Sequence, residues 1–253
     1  MNLIMENLCM SKYTKVFLDK VPSTNSYAIE QIGFLKDKTV LFTHNQTSGR
    51  GRYNRKWIND DTNNLYVTFV FKPDDIENYP FANLTQYLSL VLCEFLEKEF
   101  KLKPNIKWPN DILVDGYKIS GILAESYMER NKIKGVVLGL GLNVNLKAET
   151  LDLIDQKATS LSVLLGKNFE IEPILDGLCD RFFENYDLFV KQGFSFIKER
   201  YEQRCNFIGK NIRIRELGEV KEYFAQAIDD DGLLLVKDEF NKEGKIITGD
   251  LLC

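Results

Sequence analysis

The sequence predicts an α+β fold: a mixed, largely antiparallel sheet packed with helices, followed by a small all-β unit. Three features of the chain point there. Between residues 14 and 145 most apolar segments are of strand length, rich in β-branched and aromatic residues and bounded by turn residues. Two longer stretches, from Leu84 and from Ile174, repeat their apolar residues at helical spacing. After Cys205 that spacing stops and short strands alternate with glycine turns.

Taken in order, residues 14–19 (TKVFLD) form a short strand. Proline and then Ser23, Thr24 and Asn25 supply caps for a helix through Ile32, because their side-chain oxygens accept from orphaned first-turn N–H groups. Strands follow at 39–44 (TVLFTH) and 65–72 (LYVTFVFK). From Leu84, the residues Tyr87, Leu88, Val91, Leu92, Phe95 and Leu96 mark one face of a helix that packs on a sheet. Asp115-Gly116 is a two-residue hairpin signal, and a second turn at ERNK leads into IKGVVLGLGLNV, so this region reads as an antiparallel meander. Helices are expected at 160–165, 174–191 and 196–203. Turns at Gly218, Asp231-Gly232 and Glu243-Gly244 then divide a small β-barrel, too small to be very stable alone and expected to dock on the rest. The expected domains are residues 1–205 and 206–253.

Composition narrows the function. The 253 residues are 44% hydrophobic and 28% charged, with no run of the roughly 18 apolar residues that a membrane helix needs. The N-terminus lacks a basic head followed by an apolar segment, so the cytoplasm is the expected location. Cys9, Cys93, Cys179, Cys205 and Cys253 are scattered without C-x-x-C spacing, which disfavours a disulfide framework and a zinc site. The one histidine, His44, ends a strand; histidine-based nucleophilic or metal chemistry is not expected. A net charge of −4 gives no global footprint for nucleic acid.

Against that background TSGRGRYNRKW, residues 47–57, concentrates Arg50, Arg52, Arg55 and Lys56 in a loop between strands. Gly49 and Gly51 suit positive φ and close approach to a ligand, and the arginines suit charge-assisted hydrogen bonds to carboxylate or phosphate. A solvated basic loop is an equal reading of this segment taken alone. In KWPND, residues 107–111, Lys107 suits a phosphate, and Asn110 and Asp111 suit a ribose hydroxyl or Mg²⁺; simple turn chemistry is the alternative. Lys118 and Gly121 interrupt an apolar strand, either as an edge-strand device or as a charge beside a ligand. GLGLN, residues 139–143, is followed by no helix and so is not a dinucleotide fingerprint; Asn143 is either a base-reading group or a polar strand end.

Together and in this order, STN at 23–25, QTSGRGRYNRKW at 46–57, KWPNDI, KISGIL with Glu125, GLGLNVN and the terminal β unit closely resemble the biotin protein ligases, from about Val16 onward. The resemblance implies a class II synthetase-like biotin/lipoate ligase catalytic domain followed by an SH3-like β-barrel. It implies activation of biotin by ATP with Mg²⁺ to biotinyl-5'-AMP, then transfer to a lysine of a biotin carboxyl carrier protein, with no tightly bound prosthetic group. It further implies that Ser23, Thr24, Asn25 and Gln46 bind biotin, that Arg50, Gly51 and Arg52 order over the ligand, and that Lys118 reaches the carboxylate and adenylate phosphate. Arg55, Trp57, Lys107, Asn110, Asp111 and Asn143 fall on the ATP side, with Asp111 as the metal candidate; Arg50, Arg52, Lys107 and Lys118 are the expected catalytic cations. The segment before the first strand is too short for the winged helix-turn-helix of many bacterial relatives, so no DNA binding is expected, and either a monomer or a homodimer fits. Asn54 stands where the family often has glycine, and asparagine tolerates positive φ. A lipoate or octanoate ligase, and a catalytically silent biotin or nucleotide sensor, are the competing readings.

Overall fold

Strand β3 (Leu65–Phe71) shows how the molecule is layered. All seven residues are buried, so both faces of the strand are covered. Leu65, Val67, Phe69 and Phe71 join the large core beneath the helices, whereas Val70 joins a second cluster with Ala28, Ile32, Leu41 and Val137. Side chains alternate across a strand, so Tyr66 and Thr68 share the face of Val70. That second face carries the site. The computed structural model describes residues 12–60, 64–76, 79–216 and 218–252, so Cys9 and Cys253 lie outside the described residues, as does the side chain of Asn54.

The main sheet contains β1 (Thr14–Phe17), β2 (Thr39–Thr43), β3, β4 (Pro104–Lys107), β5 (Asp111–Val114), β6 (Tyr117–Glu129) and β7 (Lys132–Leu142) in the order β1-β2-β3-β7-β6-β5-β4. The expected meander forms β4 to β7, with antiparallel neighbours throughout. Its turns are set by Asp115 (φ 51°) with Gly116 (φ 83°) and by Arg130 (φ 49°) with Asn131 (φ 61°). β1 and β2 pair in parallel through the crossover helix α1 (Thr24–Glu30), which makes the sheet mixed.

Helix α2 (Leu84–Phe100) and α5 (Ile171–Glu184) cover the other face. A Cβ on Gly177 of α5 would stand 2.8 Å from the Phe95 ring of α2, so the two helices approach closely there. Stacked rings fill the layer, with Phe69 against Phe182 at 4.6 Å and Tyr87 against Phe189 at 4.3 Å. The single helix expected over 174–191 is two, α5 and α6 (Tyr186–Gln192), because Asn185 leaves helical geometry at φ −116°. Shorter helices α3 (Ala148–Leu151), α4 (Leu161–Leu165) and α7 (Lys198–Glu202) lie in the connections.

The C-terminal strands β8 (Asn211–Glu216), β9 (Glu219–Ile228), β10 (Leu234–Lys237), β11 (Glu243–Ile246) and β12 (Asp250–Leu252) form an antiparallel sheet in the order β11-β10-β9-β8-β12. Gly244 lies inside β11 rather than in a turn. The turn is earlier, where the Asp238 carboxylate accepts from the N–H groups of Phe240 and Lys242 and Asn241 adopts φ 59°. The sheet is docked as expected: its buried Ile214, Ile228 and Val236 belong to the main core. Gln86 of α2 donates to Gly232 O at 2.7 Å and Asn83 to Asp231 O at 2.8 Å.

Candidate functional site

A cavity opens on the second face of the main sheet, bounded by β3, β6, β7, the start of α1, the cationic loop and the first residue of β12. Its floor depends on missing side chains. Gly139 and Gly141 of β7 alternate with core residues Leu138, Leu140 and Leu142, so the glycines face the cavity. A Cβ on Gly139 would stand 2.2 Å from Asn25 Oδ1, and one on Gly141 would stand 2.8 Å from the Trp57 ring. Gly121 of β6 makes room for the same indole, 2.7 Å from its would-be Cβ. The glycines of GLGLN thus serve close approach to other side chains, not a pyrophosphate turn.

One end of the cavity is polar and uncharged. Ser23 caps α1, its Oγ accepting from Ser26 N at 3.4 Å. Gln46 Oε1 accepts from Thr24 N at 2.7 Å and from the Thr24 hydroxyl at 3.1 Å. Asn25 donates to Leu123 O at 3.0 Å and to Glu125 Oε2 at 2.8 Å. Thr68 Oγ1 lies 2.7 Å from Asn25 Oδ1 and 2.8 Å from Thr24 Oγ1, tying both to the sheet. Thr24 and Asn25 are buried, which holds these amide and hydroxyl groups in fixed positions.

The other end is cationic. Residues 49–57 fold back as a small hairpin, with Gly51 N donating to Arg55 O at 2.7 Å and Trp57 N to Gly49 O at 2.9 Å. The left-handed residue of the turn is Tyr53, at φ 55°, rather than Asn54. Gly51 is extended at φ −109°, so positive φ is not what this position requires. Gly49 instead permits close packing, since a Cβ there would meet Gln46 Nε2 at 3.0 Å and Trp57 Cβ at 3.1 Å.

Four cations at this mouth, Arg50, Arg52, Arg55 and Lys118, have acidic partners. Arg50 pairs with Glu125 at 3.1 Å and also donates to Ser26 Oγ at 3.1 Å. Arg52 lies 3.5 Å from Asp250 and donates to Asn110 Oδ1, Gly249 O and Thr248 Oγ1 at 3.3, 3.0 and 3.1 Å. Arg55 pairs with the same Asp250. Lys118 pairs with Asp111 at 2.8 Å, and its Nζ sits 5.2 Å from the centroid of the Trp57 ring.

The fold therefore brings Ser23, Thr24, Asn25 and Gln46 to one end of the cavity, and Arg50, Gly51, Arg52, Arg55 and Trp57 together with Asn110, Asp111 and Lys118 to the other. Two expected residues stand elsewhere. Asn143 is buried, donates to Thr159 O at 2.9 Å and does not line the cavity. Lys107 opposes Asp111 across the β4–β5 hairpin but lines a separate groove. Sequence reasoning missed Tyr66, Thr68, Gln156 and Asp250. Strand alternation within 65–71 would have revealed the first two; Gln156 and Asp250 arrive from distant segments that carry no local signal. Burial raises the Tyr66 hydroxyl well above its ordinary pKa, so it stays a neutral donor, directed at Asn59 Oδ1 at 2.8 Å. Among the described residues no group of three or more His, Cys, Asp or Glu is placed to hold a metal ion.

A mixed sheet with an uncharged polar pocket at one end and a cationic lid at the other defines a binding protein or enzyme for a small molecule that is neutral at its head and anionic at its tail. The chain belongs to the biotin/lipoate A/B protein ligase family, whose sequence model matches residues 17–143. It is 31% identical over 241 residues to the bifunctional ligase/repressor BirA of Bacillus spizizenii, covering 93% of this chain and 73% of that one. It is 28% identical to the biotin--[acetyl-CoA-carboxylase] ligase of Paracoccus denitrificans, covering 87% and 92%. The biotin protein ligase of Aquifex aeolicus in complex with biotin and ATP superposes with a TM-score of 0.80 at 26% identity, covering 94% of this chain and 97% of that one.

Proposed function

We infer that this chain activates biotin with ATP to biotinyl-5'-AMP and transfers the biotinyl group to a lysine of a biotin carboxyl carrier protein or domain. The observation that carries the reading is the joining, in one cavity, of the Thr24–Asn25–Gln46 end with the mouth formed by Arg50, Arg52, Arg55 and Lys118. The uncharged end suits a neutral ring that donates and accepts hydrogen bonds; the cationic end suits a carboxylate meeting a polyphosphate. Two similar proteins support it: the Aquifex structure holds biotin and ATP, and the Paracoccus relative is named for an acetyl-CoA carboxylase.

In the first step a biotin carboxylate oxygen bonds to the α-phosphorus and pyrophosphate leaves. In the second, the acceptor amine bonds to the acyl carbon, AMP leaves with the bonding pair, and the amine gives up a proton. Both reactants of the first step are anions, so Arg50, Arg52 and Lys118 offset their repulsion and stabilise charge building on the phosphate oxygens. Trp57 and the folded loop exclude water from an anhydride that hydrolyses. Arg55, Asn110 and Asp111 form the nucleotide side, which Asn143 supports by holding the segment that presents Gln156. Lys107 stands outside the cavity. Asp111, a hard oxygen donor at the cavity, fits the one or two carboxylates that Mg²⁺ takes beside phosphate oxygens, and the ion would add charge stabilisation at the triphosphate. Neither step needs an enzyme nucleophile. We place the catalytic unit at residues 1–205 and the β unit at 206–253, and the protein in the cytoplasm; among the described residues no helix is long and apolar enough to cross a membrane.

ATP–pyrophosphate exchange measured with biotin, lipoate and octanoate tests the reading. Exchange driven by biotin alone is expected. Exchange with lipoate and not biotin would overturn the substrate, and none with any acid would leave a binding protein. Arg52→Ala and Lys118→Ala are expected to slow adenylate formation or hasten its loss with an unchanged circular dichroism spectrum; wild-type rates and retention in both would remove them from the site.

A further inference from the structure

Glu125 touches both ends of the site without lining the cavity itself. It shares the cavity face of β6 with Gly121 and Leu123, and it stands two residues beyond the point where Leu123 pairs with Gly139 of the floor. Its Oε2 accepts from Asn25 Nδ2 at 2.8 Å, and its Oε1 accepts from Arg50 Nη2 at 3.1 Å. The same Arg50 nitrogen donates to Ser26 Oγ at 3.1 Å. Asn25 and Ser26 are neighbours in α1, so Asn25, Glu125, Arg50 and Ser26 close a ring that joins the uncharged end to the cationic mouth.

A carboxylate is the group that this position requires. Asn25 gives its amide hydrogens to Leu123 O and Glu125, and its Oδ1 accepts from Thr68. A hydroxyl can donate or accept, so Thr68 does not by itself decide which way the amide faces. Leu123 O and Glu125 do decide it, because a reversed amide would set Oδ1 against a carbonyl and a carboxylate. Asn25 is buried, so water makes up for neither contact. Glu125 must at the same time face the Arg50 guanidinium. Only a carboxylate accepts on both of its oxygens; a glutamine serves one of these donors and turns its own NH2 toward the other. Arg50 is exposed and can turn to water or to a ligand, whereas Asn25 is enclosed.

We propose that Glu125 is a positioning residue with two opposed effects on one ligand: it fixes the Asn25 amide that meets the neutral ring system, and it competes with the ligand carboxylate for Arg50. The proposal rests on the ligase reading above. The first effect strengthens binding of any ligand that carries the ring system. The second weakens binding only of a ligand that carries the carboxylate. A loosely held carboxylate suits its part as the attacking group, since tight pairing with Arg50 before reaction would deepen the ground state without lowering the barrier.

The test measures Kd by calorimetry, without ATP, for biotin and for biotinol, the alcohol that keeps the ring system and lacks the carboxylate. Wild type, Glu125→Met and Glu125→Gln are compared in the whole chain. Methionine is close to glutamate in length and offers neither donor a carboxylate oxygen, so Glu125→Met is expected to weaken biotinol about tenfold. Glutamine keeps an acceptor for Asn25 and removes the charge. Glu125→Gln is therefore expected to return biotinol to its wild-type Kd and to bind biotin about two- to fivefold more tightly than wild type does. A merely structural role would move the two ligands by the same factor in each variant. That result, wild-type biotinol affinity in Glu125→Met, or wild-type biotin affinity in Glu125→Gln would overturn the proposal. If thermal unfolding shows that Glu125→Met does not fold, the two Kd values of Glu125→Gln still decide. Wild type that binds neither ligand defeats the ligase reading and the proposal with it, whereas failure of the proposal alone leaves wild-type biotin binding in place.

Discussion

Gly139→Ala puts a methyl group where Asn25 already stands. The new Cβ would lie 2.2 Å from Asn25 Oδ1, 2.8 Å from Cγ and 2.9 Å from Nδ2. The backbone has little freedom to yield, because β7 pairs at this position with Thr68 on one side and Leu123 on the other. The side chain must move instead, and it is held by Leu123 O at 3.0 Å, Glu125 at 2.8 Å and Thr68 at 2.7 Å. Asn25 is only 4% exposed, so water does not replace those partners. At about 1 kcal/mol for each bond, the loss is about 3 kcal/mol. If the Asn25 amide binds biotin, that energy corresponds to a KM for biotin raised about a hundredfold. The assay is a double-mutant cycle of wild type, Gly139→Ala, Asn25→Ala and the double variant, read by thermal unfolding and by biotin KM in pyrophosphate exchange. With Asn25 truncated the methyl group has room, so the second substitution adds little and the coupling is about 3 kcal/mol. Wild-type behaviour of Gly139→Ala, or additive effects in the cycle, would refute the reasoning.

Three further outcomes follow from named contacts. Asp250→Asn removes the carboxylate shared by Arg52 and Arg55; with Arg55 half exposed the stability cost is about 1 kcal/mol or less, but trypsin cleavage within residues 50–55 of the ligand-free protein is expected to speed up several-fold, roughly. Unchanged cleavage would mean that the loop is held by its own hairpin bonds. Burial works to raise the Asp229 carboxyl, but Lys245 and the N–H groups of Leu233 and Asp231 outweigh it and hold it below the ordinary 3.8. A folded pKa below the unfolded one stabilises above the unfolded value and is lost as pH falls through the folded value. The urea-midpoint gap between wild type and Asp229→Asn should therefore be full near neutral pH and close below about pH 4; a gap undiminished at pH 2 would contradict this. Burial pushes the Cys93 thiol up to about 12 and raises Cys179 and Cys205 as well, so iodoacetamide at pH 8 should label these three only after unfolding, as read by peptide mass.

What was legible in the sequence depended on how local its cause was. The meander could be read because Asp115-Gly116 and Arg130-Asn131 carry their own turn chemistry, and hydrogen bonding to the next strand follows from the turn. The parallel β1–β2 pair could not, since nothing in residues 14–19 says that α1 returns the chain alongside itself. The site divides in the same way. Residues within contiguous motifs, such as Thr24 with Asn25 or Arg50 with Arg52, line one cavity. Asp250 is separated from Arg52 by almost the whole chain and is joined to it only by docking of the C-terminal sheet. Lys107 shows the limit inside a motif: it faces Asp111 across a two-strand hairpin, yet the C-terminal sheet divides their surroundings into separate cavities. The glycines misled in one respect. Backbone freedom was the obvious reason for GRGR, whereas Gly49 is required by the crowding of Gln46 and Trp57.

The pairing of Arg50, Arg52, Arg55 and Lys118 at the cavity mouth bears on how an anionic ligand is chosen. Glu125, Asp250 and Asp111 occupy Arg50, Arg52, Arg55 and Lys118, so in the proposed reaction binding would exchange partners rather than fill bare charges. The pairs are not equally easy to exchange. Arg50 and Glu125 are 38% and 24% exposed, and a pair so open to water is worth about 1 kcal/mol or less. Lys118 and Asp111 are 13% and 14% exposed, and separating them without replacement leaves two poorly hydrated charges, at a cost of several kcal/mol. A carboxylate reaching the mouth alone can displace Glu125 from Arg50 but gains little by doing so. In the proposed reaction Lys118 would turn toward a ligand at least cost where that ligand supplies an anion and Asp111 meets a cation; Asp111 would hold Mg²⁺, whose charge would supply that compensation. The inner pair then acts as a condition on chemistry. In the proposed reaction the acid alone would engage the outer loop, and Lys118 would become available to the transferring phosphate only with nucleotide present, which would tie formation of a hydrolysable anhydride to a filled site.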